Sequence, residues 1–349
     1  MNTQDFISFI LLIILTISVE FYAIKLLAYN SILLQNESSM FPQDWNQINF
    51  GRIIGKKKEK NILLFPNEFI TNFTIKNGLI FVDADLNGHK RQFLLDSGLG
   101  SNLILNSESI YIENVQDSEM YIDGIGGKSK NVSTTWISSF NWMGIKLTDT
   151  DIVALPLSHI DKKNNNLAGI IGFNAFSNYQ LTFDYRHNIL KARTKKDVDR
   201  ETKENGKLLT SISFELKEHM PVFEIVINGY KYKMGLDTGA SINLMDKKYF
   251  KQLEKSVYDL NDSPIKGFNG ESMVTRGIVM QTNINNISYD HMIYSFDSVS
   301  LKNLNRKHGF DIDGIVGYEL LSKYITVIDF PSKEIRVYEG KTAESKIIS

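Results

Sequence analysis

The chain contains no cysteine. Disulfide bonds, catalysis by a thiolate, and zinc or iron–sulfur sites that require cysteine ligands are therefore excluded. There are only six histidines, and they are scattered without the H-E-x-x-H spacing of a zinc hydrolase. We therefore expect neither a metal ion nor a cofactor.

An excess of positive charge is also missing, because 39 Lys and Arg residues are balanced by 40 Asp and Glu residues. Nothing in this balance favours nucleic acid as a partner. No Walker or dinucleotide-binding glycine motif is present either, since the glycines at 124–127 precede neither Gly-Lys-Ser/Thr nor a helical pattern. With 42% hydrophobic residues over 349 positions, the composition predicts a folded chain long enough for two domains.

What the sequence does contain is a duplicated motif. Residues 96–98 read Asp-Ser-Gly and residues 237–239 read Asp-Thr-Gly, each at the end of a hydrophobic run. One such tripeptide is weak evidence, because these residues are ordinary turn formers. However, an Asn-Gly pair precedes each copy, at 87–88 and 228–229, between two strand-like runs. Such a pair predicts a β-hairpin with a type I′ turn, whose second strand would end at the Asp.

The match between the two copies continues downstream. Glycine-rich patches follow at 124–127 and 267–270, and two hydrophobic residues with a glycine follow at 170–172 and 315–317. A duplicated frame of this kind indicates two similar units related by a pseudo-twofold axis. That axis would bring the two carboxyl groups together. One of them could then act as an acid and the other as a base on a shared water molecule.

Over residues 75 to 340 or so, these motifs resemble those of the retropepsin-like aspartic proteases. The resemblance is strongest to the bacterial group that carries two such domains in one polypeptide. It implies an all-β fold of two retropepsin-like (acid protease) β-barrel lobes in tandem, with pseudo-twofold symmetry. It also implies an aspartic endopeptidase that acts on a peptide or protein substrate and whose active site is complete in a monomer.

The resemblance assigns roles to individual residues. The implied catalytic residues are Asp96 and Asp237. The residues that would support the active-site loops are Ser97, Gly98, Thr238, Gly239 and Ser241. The flap residues that would cover a bound peptide are Gly124, Ile125, Gly126, Gly127, Gly267, Phe268, Asn269 and Gly270. The residues that would lie behind the catalytic pair are Ile170, Ile171, Gly172, Ile315, Val316 and Gly317. One short helix per lobe is expected after the last elements, at 174–178 and 319–323.

The first copy departs from the family pattern. Leu99 stands where alanine is usual, and Gly100 replaces a hydroxyl residue that would hydrogen-bond near the Asp. Ser101 could supply that hydroxyl after a shift of one residue. The departure leaves an alternative open, a membrane-anchored peptide-binding pseudoprotease that keeps the cleft but has lost turnover.

The N-terminal residues 1–29 are predicted to form a hydrophobic helix that is a transmembrane anchor or a signal segment. The apolar run 6–19 has the length of a signal peptide, and its continuation to residue 29 could span a bilayer. No small-x-small cleavage site is evident, which favours a retained anchor. By the positive-inside rule, basic residues after the segment argue for a cytoplasmic body. However, these residues cluster far from the end of the segment, where the rule weakens. We expect a membrane-anchored or exported protein with its body on the extracytoplasmic (periplasmic) side.

The predicted division of the remaining chain follows from the repeat and from its charged segments. It consists of a linker or stalk (30–74), the first protease-like repeat (75–192), a linker (193–210), the second repeat (211–340) and a tail (341–349).

Overall fold

The structure is a computed structural model that describes residues 66–109, 116–117, 122–124, 127–129, 132–157, 160, 166–267, 270–297 and 299–340. The predicted segment 1–29 and the tail 341–349 lie outside these residues. Within the part of the chain described, no helix is long and apolar enough to cross a membrane.

The first lobe is built of β-strands, as the repeat predicts. Its strands are β1 (Glu68–Lys76), β2 (Leu79–Leu86), β3 (His89–Asp96), β4 (Leu103–Asn106), β5 (Gln116–Asp117), β6 (Ile122–Gly124), β7 (Gly127–Ser129), β8 (Ser133–Trp142), β9 (Ile145–Leu155), β10 (Leu167–Gly172), β11 (Gln180–Asp184) and β12 (Ile189–Arg193). Six of them close into a barrel in the order β2-β3-β10-β4-β9-β8, because β2 also pairs with β8.

The second lobe repeats this arrangement. Its strands are β13 (Leu208–Ser213), β14 (Glu215–Lys217), β15 (Met220–Ile227), β16 (Tyr230–Leu236), β17 (Asn243–Met245), β18 (Val257–Gly267), β19 (Gly270–Ile284), β20 (Ile287–Phe296), β21 (Gly314–Val316), β22 (Ile325–Asp329) and β23 (Glu334–Tyr338). The pairing of β15 with β19 closes six of them into a barrel in the order β15-β16-β21-β17-β20-β19. The all-β architecture with two closed barrels is consistent with two retropepsin-like lobes.

The Asn-Gly pairs form the predicted hairpin turns. Asn87 and Asn228 have φ angles of 53° and 49°, and the following glycines have φ angles of 80° and 81°. Two residues in the left-handed region give a type I′ turn, which matches the twist of the flanking strands. The turns join β2 to β3 and β15 to β16. The hairpin prediction is therefore confirmed, and each second strand leads into an Asp.

Behind each Asp passes the strand that contains the hydrophobic-hydrophobic-Gly element. β10 runs parallel to β3, with Gly172 opposite Asp96, and β21 runs parallel to β16. A Cβ on Gly172 would lie 2.3 Å from the carbonyl oxygen of Ser101, and a Cβ on Gly317 would lie 2.1 Å from that of Ala240. Only glycine allows the backbones to approach so closely.

The lobes share one sheet, in the order β13-β23-β22-β11-β12-β1. At its centre β11 of the first lobe pairs antiparallel with β22 of the second, with Leu181 opposite Ile328. β1 begins at Glu68, inside the segment predicted as a stalk, because Phe69 and Phe73 are buried in the core. The strand therefore extends the first lobe ahead of residue 75.

Helices are few, but more numerous than the predicted one per lobe. Short helices at Phe173–Phe176 and Tyr318–Leu321 follow β10 and β21, close to the predicted 174–178 and 319–323. The expectation of one helix per lobe is nevertheless wrong. Further helical segments within the described residues are Val198–Asn205, Phe250–Leu253 and Val299–His308, with 3₁₀ turns at Lys247–Tyr249 and Glu254–Ser256. In Val299–His308 the buried residues Leu301 and Leu304 are spaced as helix packing requires.

The predicted linker 193–210 contains the helix Val198–Asn205, which packs against the shared sheet. Its Glu201 is fully buried and accepts two hydrogen bonds from the guanidinium of Arg336, at 2.8 and 2.9 Å. Tyr338 donates a further hydrogen bond of 2.8 Å to the same carboxylate. This helix is therefore fixed to the fold by a buried ion pair.

Candidate active site

The structure brings Asp96 and Asp237 together between the lobes. Both residues are 0% exposed, and a single backbone amide, that of Gly98, contacts both carboxyl groups. The amide of Gly98 donates to Oδ1 of Asp96 at 2.7 Å and to Oδ1 of Asp237 at 3.1 Å. The amide of Gly239 donates to Oδ1 of Asp237 at 2.8 Å. The inner oxygens are thus held by the backbone of the two Asp-Ser/Thr-Gly loops.

The residues after the two aspartates tie the loops to each other. The amide of Ser97 donates to Oγ1 of Thr238 at 2.9 Å, and the amide of Thr238 donates to Oγ of Ser97 at 2.9 Å. Thr238 Oγ1 in turn donates to the carbonyl of Leu95 at 3.4 Å. The hydroxyl at this position of the motif therefore fixes the opposite loop, which explains why the motif carries serine or threonine there.

The third residue of the motif is glycine because the carboxyl groups leave no room for a side chain. A Cβ on Gly239 would lie 2.4 Å from Cγ of Asp96 and 2.5 Å from its Oδ1. Contacts shorter than 3.0 Å are not found for real Cβ atoms. The close packing of the second loop on Asp96 thus depends on this glycine.

Burial raises the pKa of both carboxyl groups. The pKa of Asp96 is raised further by the negative charge of Asp237 and by the hydrogen bond between the two carboxyl groups. For Asp237, hydrogen bonds from the Gly239 amide, from Asp96 and from the Gly98 amide act in the opposite direction and lower the pKa. These directions favour a pair that shares one proton, held by Asp96 while Asp237 is ionised.

The outer oxygens differ from the inner ones. Oδ2 of Asp96 and Oδ2 of Asp237 are buried and have no hydrogen-bond partner among the residues described. Buried carboxyl oxygens of this kind require a partner. One protonated and one ionised oxygen, side by side, can hold a water molecule or a hydroxyl group between them.

The first loop accommodates its departures from the family pattern in different ways. Leu99 is fully buried in a cluster with Ile104 and Ile170, so the larger side chain fills core space. Ser101 does not replace the missing hydroxyl, because its Oγ is buried without a hydrogen-bond partner in the described part of the chain. The space beside Gly100 is instead taken by the ring of His219, whose Nδ1 would lie 2.9 Å from a Cβ at that position.

The second loop carries Ser241, which is 5% exposed. It lies against a turn of the first lobe, since a Cβ on Gly78 would be 3.0 Å from Cβ of Ser241. Each active-site loop therefore contacts a turn of the opposite lobe.

The strands that flank both predicted flap tips form antiparallel pairs. Gly124 lies opposite Gly127 between β6 and β7, and Gly267 lies opposite Gly270 between β18 and β19. The tip residues Ile125, Gly126, Phe268 and Asn269 lie outside the described residues. In the second lobe the arms are long, with 11 residues in β18 and 15 in β19.

A metal centre has no candidate in the portion of the chain described, where no group of three or more His, Asp or Glu residues could hold an ion.

Comparison with known proteins agrees with this geometry. Residues 223–302 match the family described as gag-polyprotein putative aspartyl protease. The matched region extends from β15 through Asp237, Thr238 and Gly239 and beyond the β18–β19 hairpin, and it supports a retropepsin-like family for the second lobe. A search of curated proteins returned no match to the chain.

Proposed function

We propose that this protein is an aspartic endopeptidase that hydrolyses peptide bonds with a water molecule activated between Asp96 and Asp237. The observation that carries the proposal is the buried pair of carboxyl groups that share the Gly98 amide and whose outer oxygens are unpartnered among the described residues. The family match over residues 223–302 supports a protease independently.

The proposed reaction needs only the two carboxyl groups. Ionised Asp237 removes a proton from the water while the water oxygen attacks the peptide carbonyl carbon, and protonated Asp96 donates its proton to the carbonyl oxygen. The tetrahedral intermediate then collapses: one of its hydroxyl groups returns a proton to Asp96, the C–N bond breaks, and the leaving amine takes the proton that Asp237 received. The hydrogen bonds from Gly98 and Gly239 keep both inner oxygens in place throughout.

Both aspartates belong to one chain, so we propose an active site that is complete in a monomer, as in the bacterial two-repeat proteases. The shared sheet supports this arrangement because it joins the lobes through β11 and β22. We further propose that the glycine-rich hairpins act as flaps over a bound peptide. Specific activity should then be unchanged by dilution, whereas a loss on dilution would indicate that two chains are required.

For residues 1–29 we propose a membrane anchor that places the two lobes outside the cytoplasm. The support is the apolar run 6–19 and its apolar continuation. Carbonate washing of membranes should release a chain that lacks residues 1–29 and retain the full chain. If the full chain is released as readily as the truncated chain, residues 1–29 are not a membrane anchor.

The alternative is a membrane-anchored peptide-binding pseudoprotease. It is favoured by one observation, the replacement of the family's hydroxyl residue by Gly100 in the first loop. In such a protein the cleft would bind peptides without hydrolysing them.

Cleavage of a peptide library, analysed by mass spectrometry with and without a statine-type inhibitor, distinguishes the two functions. The endopeptidase predicts new termini that disappear with the inhibitor and with Asp237→Asn. Binding of peptides without any new termini would favour the pseudoprotease. Cleavage that survives both the inhibitor and the substitution would contradict the proposal.

A further inference from the structure

The first active-site loop is in contact with a side chain of the opposite lobe. His219 lies in the turn between β14 and β15 of the second lobe, yet its ring lies against Gly100 of the first. A Cβ on Gly100 would lie 2.9 Å from Nδ1 of His219 and 3.4 Å from its Cγ and Cε1. No side chain fits at position 100 while this ring is in place.

His219 is held in this position by both lobes. It is 4% exposed, and its ring packs edge-on against Phe310 of the second lobe and tilted against Phe173 of the first, with centroid distances of 5.7 and 6.5 Å. Gly100, against which the ring lies, is two positions after Gly98, whose amide donates to both aspartates. His219 therefore contacts the loop that positions the carboxyl pair.

One atom of the ring argues against a purely space-filling role. Nε2 of His219 is buried and has no hydrogen-bond partner among the described residues. An apolar side chain would fill the same space without the cost of an unpaired buried nitrogen. The imidazole is thus better explained by its contact with the active-site loop than by packing alone.

The pseudo-twofold axis shows what His219 replaces. Ser97 and Thr238 are 141 positions apart, and the same separation relates Gly78 to His219 and Gly100 to Ser241. Each half-site consists of one Asp-Ser/Thr-Gly loop and the turn of the opposite lobe that contacts it. In the second half-site the turn supplies Gly78 and the loop supplies Ser241. In the first half-site the turn supplies the large side chain and the loop supplies Gly100. The two contacts therefore occupy equivalent positions, but the larger side chain is on the loop in the second half-site and on the turn in the first.

The charged groups that face the ring are Glu218 and His308. Oε2 of Glu218 lies 3.9 Å from Nδ1 of His219 and 3.5 Å from Nδ1 of His308. Burial, and then the charge of His308, lower the pKa of His219 to about 4, while the Gly98 backbone acts in the opposite direction. Burial raises the pKa of Glu218. The ring is therefore neutral over the neutral and mildly acidic range and leaves the charge of the carboxyl pair uncompensated.

We propose that His219 is a positioning residue for Asp96. It fixes the backbone of the first active-site loop at Gly100 and takes in the first half-site the place that Ser241 takes in the second. The proposal rests on the proposed function in one respect, that Asp96 acts in the reaction. It explains the departure of the first loop from the family pattern as an exchange between lobes rather than a loss of function.

A double-mutant cycle on Gly100 and His219 tests the exchange, with peptide cleavage as the first measurement. Gly100→Ser inserts a side chain against the ring, and His219→Gly removes the support, so each alone should lower kcat/KM about 10- to 100-fold. The double variant, which copies the Gly78 and Ser241 pair, should recover most of that loss. A double variant no better than the worse single variant would overturn the proposal, as would full activity of Gly100→Ser.

Urea unfolding of the same four proteins gives a measurement that does not depend on turnover. Both single substitutions should lower the urea midpoint, and the double variant should regain it, because the effects of substituting two residues in contact are not additive. If the change in the double variant equals the sum of the two single changes, the proposed contact is overturned. If the wild type cleaves no peptide, the proposed function fails, but this cycle still tests the exchange.

The pH profile separates positioning from simple packing. Protonation of His219 near its pKa of about 4 should lower the kcat/KM of the wild type at acidic pH. The double variant lacks that group and should keep its activity to lower pH. If kcat/KM decreases at the same acidic pH in the wild type and in the double variant, the positioning role is contradicted.

His308→Ala is the matched control, because this neighbouring histidine packs against Phe310 at a centroid distance of 5.1 Å on the side of the turn. Its kcat/KM should stay within about twofold of the wild type. A loss as large as that of His219→Gly would assign the effect to packing of the turn and overturn the proposal.

Discussion

Ser97 and Thr238 exchange hydrogen bonds across the two lobes, each amide donating to the hydroxyl of the other residue at 2.9 Å. These bonds join segments 141 residues apart and place the two aspartates next to each other. Thr238→Ala should lower the free energy of unfolding by about 1–3 kcal/mol, because it leaves the buried Ser97 amide without its partner. Urea denaturation measures this loss, and kcat/KM should fall with it.

Thr238→Ser is the matched control for this pair, since it keeps the hydroxyl oxygen and removes only a methyl group. It should retain most of the stability and activity of the wild type. Equal losses in the serine and alanine variants would show that the methyl group, and not the hydrogen bond, holds the loops.

The two carboxyl groups should both be needed for turnover. Asp96→Asn and Asp237→Asn should each lower kcat by at least about 10²- to 10⁴-fold, the usual contribution of acid–base catalysis. Circular dichroism should show an unchanged fold, because asparagine has almost the same shape. Near-normal kcat in Asp96→Asn alone would show that the first half-site is not part of the reaction.

The stability of the protein should depend on pH through the same pair. Burial raises the pKa of Asp96 above its ordinary value of 3.8, so the folded protein binds a proton that the unfolded chain has released. The resulting stabilisation is fully present below pH 3.8 and is lost as pH rises through the raised pKa of the folded state. The free energy of unfolding, measured in urea from pH 4 upwards, should therefore fall relative to that of Asp96→Asn. A wild-type free energy of unfolding that stays constant or rises relative to that of Asp96→Asn over this pH range would contradict the shared proton.

The buried ion pair between Glu201 and Arg336 should matter for stability and not for catalysis. Glu201→Gln removes the fully buried one of the three carboxylates that pair with the Arg336 guanidinium and leaves Asp329 at 3.2 Å and Glu334 at 2.6 Å. We expect a loss of up to about 3–5 kcal/mol in the free energy of unfolding. Glu224→Gln is the matched control. Glu224 pairs with Lys231 at 3.3 Å, but both side chains are exposed, and such pairs contribute about 0–1 kcal/mol. Similar losses in the two variants would contradict the role of the buried pair.

Much of the fold and of the site could be predicted because its signals are local in sequence. The Asn-Gly turns, the Asp-Ser/Thr-Gly loops and the glycine of each hydrophobic-hydrophobic-Gly element all reflect backbone geometry within a few residues. The duplication then predicted that the two copies meet. These local motifs therefore predict that each Asp lies at the end of a hairpin strand, as the structure shows for Asp96 and Asp237.

The features that could not be predicted depend on contacts between distant segments. Glu201 lies in a polar stretch typical of a linker, and only its partner Arg336, 135 residues later, explains its burial. His219 carries no motif of its own and is recognised only when position 219 is compared with Gly78 across the repeat. Ser101 could replace the missing hydroxyl because it is adjacent in sequence, but the space beside Gly100 is filled by His219 from the opposite lobe.

A crystal structure of the protein with a statine-type inhibitor tests the central claim most directly. The account predicts that the inhibitor's hydroxyl oxygen lies between Asp96 and Asp237, at hydrogen-bond distance, about 2.5–3.0 Å, from Oδ2 of both. The inner oxygens should keep their hydrogen bonds from Gly98 and Gly239. An inhibitor bound away from the pair, or a hydroxyl that contacts only one of the two carboxyl groups, would contradict the proposal that they act together on one water molecule.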